Sequence, residues 1–195
     1  IWYSGPFFRH ERPQKGRYRQ FHQFGAELIG VEGYQADYEI ISLVNYIWMQ
    51  LNISPTLKIN TIGNKGDRMK YIKVLGEYFN KYKSDLSENE LKQAQSNPLR
   101  ILDSKNKNIK EMIEMAPKIT KYISKESILH FDNLLNTLEI KNIQYERDEK
   151  LVRGLDYYNR TVFEYIDNSL ETQNTICAGG RYDSLFESLC DKKIP

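Results

Sequence analysis

Strand-like sequence at both ends of the chain brackets a long helical middle, and that order limits the fold more than any other feature. Residues 2–10 and 18–29 are rich in aromatic and β-branched residues, as strands prefer, and the basic loop 11–17 between them holds Pro13 and Gly16. Tyr38, Ile41, Val44, Trp48 and Leu51 then recur at helical steps, which predicts an amphipathic helix over 34–52. Leu57, Ile59 and Thr61 share one parity in a short strand closed by Gly63. From 64 to 143 the sequence is rich in Lys, Asn and Glu and carries two helical stripes. One is Ile72, Leu75, Tyr78, Phe79 and Tyr82; the other is Ile128, Phe131, Leu135 and Leu138. Ser87 and Glu90 have capping-box spacing, and Pro98 and Pro117 interrupt the helices. Strands return at 143–147, 160–166 and 175–178, after which Gly179-Gly180 is expected to turn into a helix over 182–189. The pattern predicts an α+β fold in three parts: a core with a strand hairpin over 1–63, an inserted helical unit over 64–143, and a return to the core over 144–195.

Composition narrows the function. With 40% hydrophobic residues, 28% charged residues and a mean hydropathy of -0.64, the chain reads neither as a membrane protein nor as a disordered tail. Its longest apolar stretch, near 40–51, is broken by Ser42, Asn45 and Gln50. It falls short of the roughly 20 apolar residues a spanning helix needs. Lys and Arg number 28 against 26 Asp and Glu, so binding to nucleic acid through bulk charge is excluded while a local basic site is not. Two cysteines, Cys177 and Cys190, rule out a disulfide scaffold and a four-cysteine zinc site, and reduced thiols in a cytoplasmic setting are expected. His10, His22 and His130 lack metal-site spacing and are expected to pack or hydrogen-bond. The chain opens on Ile1 within dense aromatic sequence, which suggests a segment of something longer.

The chemistry sits on the hairpin. Phe7, Arg9 and Glu11 share one parity, and so do Arg19, Phe21, Gln23, Gly25 and Glu27. A regular hairpin therefore carries arginines, carboxylates, a glutamine and phenylalanines on one face, with Phe8, His10, Phe24, Ala26 and Leu28 on the other. Such a face suits a nucleotide: Arg9 and Arg17 for phosphate oxygens, Phe21 to stack on a purine, Glu11 to accept from an exocyclic amine. Gln23 and Glu27 lie further along, where a second small polar substrate would sit. Parity alone equally describes a hairpin with solvated charges. Residues 151–158 (Leu-Val-Arg-Gly-Leu-Asp-Tyr-Tyr) add an arginine, a glycine and paired tyrosines between strands. Residues 178–183 (Ala-Gly-Gly-Arg-Tyr-Asp) add glycines where backbone can approach a ligand closely. Each is weak alone, since tyrosine pairs and Gly-Gly are common in cores and turns.

Together these segments resemble histidyl-tRNA synthetase, a family of class II aminoacyl-tRNA synthetases, over essentially the whole chain. Residues 8–23 look like the class II motif 2, and 151–158 and 178–183 look like the histidine-specific signatures. Asn97-Pro98-Leu99-Arg100 with Leu102-Asp103-Ser104-Lys105 resembles the family's insertion module. The resemblance implies an antiparallel catalytic sheet with flanking helices and an inserted helical domain. It implies ATP-dependent activation of L-histidine to histidyl-adenylate and transfer to the 3′ end of tRNA(His). Arg9 would hold the α-phosphate, Glu11 the adenine amino group, Arg17 the γ-phosphate, and Phe21 would stack on adenine. Gln23 and Glu27 would bind histidine, on its ammonium or imidazole side, with Tyr157, Tyr158 and Tyr182 lining its pocket. Arg153 would stand beside the α-phosphate and the histidine. Lys15, Arg17 and Arg19 would meet the tRNA acceptor end. Mg2+ would come bound to the ATP phosphates, with no metal site of the protein's own. The intact protein would be a cytoplasmic homodimer with no membrane attachment. The class's motif 1, its motif 3 and the anticodon-binding domain are expected outside these 195 residues, so the segment alone is expected to be poorly active. The alternative is a non-catalytic paralogue, either a regulatory subunit of histidine biosynthesis or a tRNA-sensing module. A degenerate paralogue is expected to lose some of Arg9, Gln23, Glu27, Arg153, Tyr157 and Tyr158, and all are present.

Overall fold

Two strands that open the chain form a hairpin, β1 (Trp2–Phe8) and β2 (Gln20–Ala26). A computed structural model describes residues 1–10, 16–102, 104, 106–152, 157–170, 174–192 and 194–195. The hairpin is antiparallel, with Tyr3 opposite Gly25, Gly5 opposite Gln23 and Phe7 opposite Phe21. Arg9 N donates to Arg19 O at 2.8 Å and Glu27 N to Ile1 O at 2.9 Å, so the ladder extends past both strand ends. This register gives the face predicted from parity. It also inverts the usual expectation of burial. The face bearing Phe7, Phe21, Gln23 and Gly25 is half-buried, while Trp2, Phe8 and Phe24 on the other side are 71%, 73% and 49% exposed.

The second sheet has the order β4-β3-β5-β6, from β3 (Thr56–Thr61), β4 (Glu146–Arg147), β5 (Asn159–Ile166) and β6 (Thr175–Arg181). Its β3–β5 and β5–β6 pairs are antiparallel, and the two-residue β4 adds a parallel edge to β3. On one face lie α1 (Tyr34–Gln50) and α5 (Lys125–Ile140). Ile41 packs there with Leu57, Ile59, Phe131, Leu134, Leu138, Phe163 and Tyr165. The helix α1 is shorter than its apolar stripe: it ends at Gln50, and the turn swings Leu51 out to 57% exposure. In α5, Ile128 is 41% exposed. Ser127, His130 and Leu134 join Phe131, Leu135 and Leu138 on the buried side instead.

The middle of the chain is helical, with α2 (Lys65–Lys81), α3 (Glu88–Ser96), α4 (Lys110–Glu114) and short 3-10 turns. The Ser87–Glu90 capping box forms, and a second joins Asn64 and Asp67 at the start of α2. Asp67 also accepts from the Ser124 and Ser127 hydroxyls at 2.9 and 2.8 Å, which ties the start of α2 to the start of α5. Tyr71, Leu75 and Phe79 of α2 bury against Leu99, Ile101, Ile109, Ile113 and Ile119. Ile62, Leu151, Val152 and Val162 complete that core from outside the helical middle.

The C-terminal signature differs from expectation. The strand β6 does not stop at Ala178 but runs through Gly179 and Gly180 to Arg181, and the last helix, α6 (Leu185–Cys190), begins three residues later than predicted. Gly179 pairs with Phe163 and Gly180 with Val162 on β5. A Cβ on Gly179 would come within 3.0 Å of the Phe163 ring, and one on Gly180 would strike Thr161 O and the Tyr158 ring. These glycines clear room for rings of the protein itself rather than turning the chain.

Candidate active site

A cleft of about 1090 Å³ lies between the half-buried face of the hairpin and the β5–β6 end of the second sheet, with α1 at its back. Along β1 and β2, Tyr3, Phe7 and Phe21 form an aromatic row, with ring centroids 5.9 Å apart for the first pair and 6.1 Å for the second. The Arg9 guanidinium caps this row, 4.9 Å from the Phe21 ring centre. Gln23, Gly25 and Glu27 follow Phe21 at successive two-residue steps, so strand geometry aims these three into the cleft.

The far wall is built from the two C-terminal signatures. The Tyr157 and Tyr158 rings are 4.7 Å apart, and Tyr182 meets Tyr157 edge-on at 6.1 Å. Tyr182 donates its hydroxyl to Glu27 Oε2, and Tyr3 donates to Glu27 Oε1 at 3.1 Å. Glu27 is thus held from both walls. Burial first, and then the Glu27 carboxylate, push the pKa of both tyrosines above the usual phenol value. They stay neutral donors near neutral pH.

Behind this wall is a buried polar network that the sequence did not reveal. Asp37 of α1 accepts from Arg181 Nε at 2.8 Å, from the Thr161 hydroxyl at 2.6 Å and from His130 Nε2 at 2.7 Å. Arg181 also reaches Asp183 at 2.8 Å and the carbonyls of Val31 and Gly33. Arg160 Nη1 lies 3.0 Å from His130 Nδ1. Arginine can only donate, so Nδ1 accepts and Nε2 carries the proton given to Asp37. Burial works to raise the Asp37 pKa, but the His130 and Thr161 hydrogen bonds and the Arg181 charge outweigh it. Its carboxyl titrates below the usual carboxylate range. Arg181 is shifted up on balance: burial opposes its charge, and Asp37 with Asp183 outweighs burial. Asn159 closes the set by donating to Asp183 Oδ2 at 2.9 Å.

The structure therefore brings together Arg9, Gln23, Glu27, Tyr157, Tyr158 and Tyr182 around one cleft. Phe21 stands beside Arg9 on the same hairpin face. Arg17 and Arg19 lie exposed at the entry to β2. Glu11, Lys15 and Arg153 lie outside the described residues. His10 and His22 are exposed on the hairpin, and His130 takes the hydrogen-bonding role expected of it. Tyr3, Asp37 and Arg181 were not among the expected site residues. Tyr3 shares the parity of Phe7 and Arg9, and Asp37 sits four residues before Ile41 on the buried face of α1. Both signals were present in the spacing.

A four-stranded sheet flanked by helices, facing an arginine-capped hairpin across a polar cleft, is the architecture of a class II synthetase core. The family model of the tRNA synthetase class II core domain (G, H, P, S and T) matches residues 1–192, and the chain belongs to that family. Within it, the chain is similar to histidine–tRNA ligases. One from Vesicomyosocius okutanii subsp. Calyptogena okutanii is 51% identical over 196 residues, covering 100% of this chain and 46% of that protein. One from Thiobacillus denitrificans is 47% identical, with the same coverage of both. The chain thus spans just under half the length of these curated relatives. Among solved structures, apo histidyl-tRNA synthetase from S. aureus superposes with a TM-score of 0.76 at 31% identity, covering 99% of this chain and 46% of that one. An ATP phosphoribosyltransferase regulatory subunit/histidyl-tRNA synthetase from Bacillus halodurans shares the fold, with a TM-score of 0.65 at 23% identity, covering 99% and 53%.

Proposed function

We propose that the protein carrying this chain activates L-histidine with ATP and transfers it to the 3′ end of tRNA(His). The observation that supports this most is the joining of hairpin and C-terminal signatures at Glu27, which Tyr3 and Tyr182 hold from opposite walls. Such a site accepts a small donor-rich ligand beside a nucleotide.

In this reading Arg9 holds the α-phosphate and Phe21 carries the adenine, with Glu11 on its amino group and Arg17 at the γ-phosphate. Gln23 and Glu27 bind histidine, and Tyr157, Tyr158 and Tyr182 line its pocket. Neutral imidazole offers one donor and one acceptor. A pocket of a carboxylate and tyrosine hydroxyls meets both, and an analogue lacking them leaves buried polar groups unpaired. The histidine carboxylate attacks the α-phosphorus and pyrophosphate leaves. The attacking group is already ionised, so the site supplies orientation and fixed positive charge rather than a base. Arg9 and Arg153 provide that charge as it builds on the phosphoryl oxygens. Among the described residues no three His, Cys, Asp or Glu side chains form a metal-holding group. In this reading Mg2+ would arrive on the ATP phosphates and neutralise their charge there.

Lys15, Arg17 and Arg19 then meet the acceptor end of the tRNA, and residues 64–143 form an inserted unit that touches its acceptor stem. The intact protein works as a homodimer in the cytoplasm. Among the described residues, no helix is long and apolar enough to cross a membrane. Charging of tRNA(His) transcripts with labelled histidine by the full-length protein tests this reading. Histidine attached to the tRNA is the expected result. Histidine binding without attachment would favour the regulatory or sensing paralogue.

A further inference from the structure

Gly25 lies in the middle of β2, and its backbone is ordinary extended strand, since it is not among the positive-φ glycines. A glycine there weakens a strand and needs a reason. The reason is clearance. A Cβ on Gly25 would sit closer than 3.0 Å to three atoms of the Tyr3 side chain, including its hydroxyl oxygen. Tyr3 is the cross-strand partner of Gly25, and its ring lies flat across that gap to deliver its hydroxyl to Glu27 Oε1, two residues further along β2. Tyr182, from the opposite wall, takes Oε2.

A carboxylate at the end of a flexible side chain has broad torsional freedom. Two phenol donors on different elements remove that freedom and leave each oxygen a further lone pair for a ligand donor. Both donors are neutral, so the full negative charge of Glu27 is kept for that ligand. The geometry points to Tyr3, admitted by Gly25, as a positioning residue that sets Glu27 for the histidine donor, whether ammonium or imidazole N–H. This rests on the reading that the cleft binds histidine.

The test uses the full-length protein in histidine-dependent ATP–pyrophosphate exchange, with Tyr3→Phe, Gly25→Ala and the double variant. Tyr3→Phe keeps the ring and removes the donor. It is expected to raise the histidine KM about tenfold, the scale of a lost hydrogen bond to a charged group, with the ATP KM changed less than about twofold. Gly25→Ala displaces the ring and is expected to do the same. The double variant should be no worse than either single one, because both act through one hydrogen bond. Thermal unfolding separates this from a folding defect: Tyr3→Phe should unfold like the parent. An unchanged histidine KM in Tyr3→Phe, equal losses for histidine and ATP, or additive effects in the double variant would overturn the inference. If the parent protein itself shows no histidine-dependent exchange, the underlying reading fails rather than the role of Tyr3.

Discussion

Glu27 and Asp37 are two carboxylates of one cleft, and their neighbours give them opposite tasks. Three protein groups, Arg181, His130 and Thr161, consume the oxygens of Asp37, so it holds α1, α5, β5 and β6 together behind the tyrosines. Glu27 accepts from two phenols and faces the open cleft, so it has capacity for a ligand. Asp37→Asn keeps the shape but leaves Arg181 partly unpaired in a buried place. The expected cost is about 3 kcal/mol in urea unfolding at pH 7. The sign with pH follows from the lowered pKa of Asp37. Its stabilisation is complete above the unfolded value near 3.8 and is lost as pH falls through its lower folded value. The stability gap between parent and Asp37→Asn should therefore shrink below pH 3.8. A gap that widens on acidification would contradict the assignment. On the other side of the cleft, Phe21→Ala removes the surface that Arg9 packs on and that adenine would stack on. The ATP KM should rise about tenfold while the histidine KM holds, as steady-state exchange kinetics would read. Of these residues the hairpin set was legible in the sequence, because a strict two-residue period assigns faces. The partners of Asp37 lie 93, 124 and 144 residues away, beyond any local pattern.

The elements divide in the same way. The helices α2 and α5 declare themselves through apolar stripes and α3 through its Ser87–Glu90 capping box, while the caps at Asn64 and Ser124 emerge only in the structure. The run Gly179-Gly180 reads locally as a turn but lies inside β6. What decides this is cross-strand register, which places the Phe163 and Tyr158 rings where side chains would be. Gly179→Ala forces a methyl onto the Phe163 ring and should cost about 1–3 kcal/mol in chemical unfolding. Gly180→Ala meets a backbone carbonyl as well, which cannot rotate away, so it should cost more than Gly179→Ala. Equal stability of both variants with the parent would show that the strand can shift to accommodate them. The exposed side of the hairpin also belongs to this level. Trp2 and Phe8 are over 70% exposed on the outer side of the two-stranded hairpin.

At the level of the chain, two cores meet at the second sheet, and the cleft opens between that sheet and the hairpin. The α+β class and the family were legible because the motifs lie in three separated segments whose joint spacing is specific. The shared core was not: Ile62, Leu151, Val152 and Val162 pack with the helical middle only once the chain is folded. That packing makes the proposed inserted unit a neighbour of the site rather than an appendage. Arg153→Ala should lower the rate of adenylate formation far more than it raises the histidine KM, as single-turnover kinetics would separate. The most direct measurement is ATP–pyrophosphate exchange by the full-length protein with each amino acid in turn. Exchange that depends on histidine, and on no other amino acid to a comparable degree, is the predicted result. Exchange that ignores histidine, or histidine binding with no exchange at all, would contradict the account.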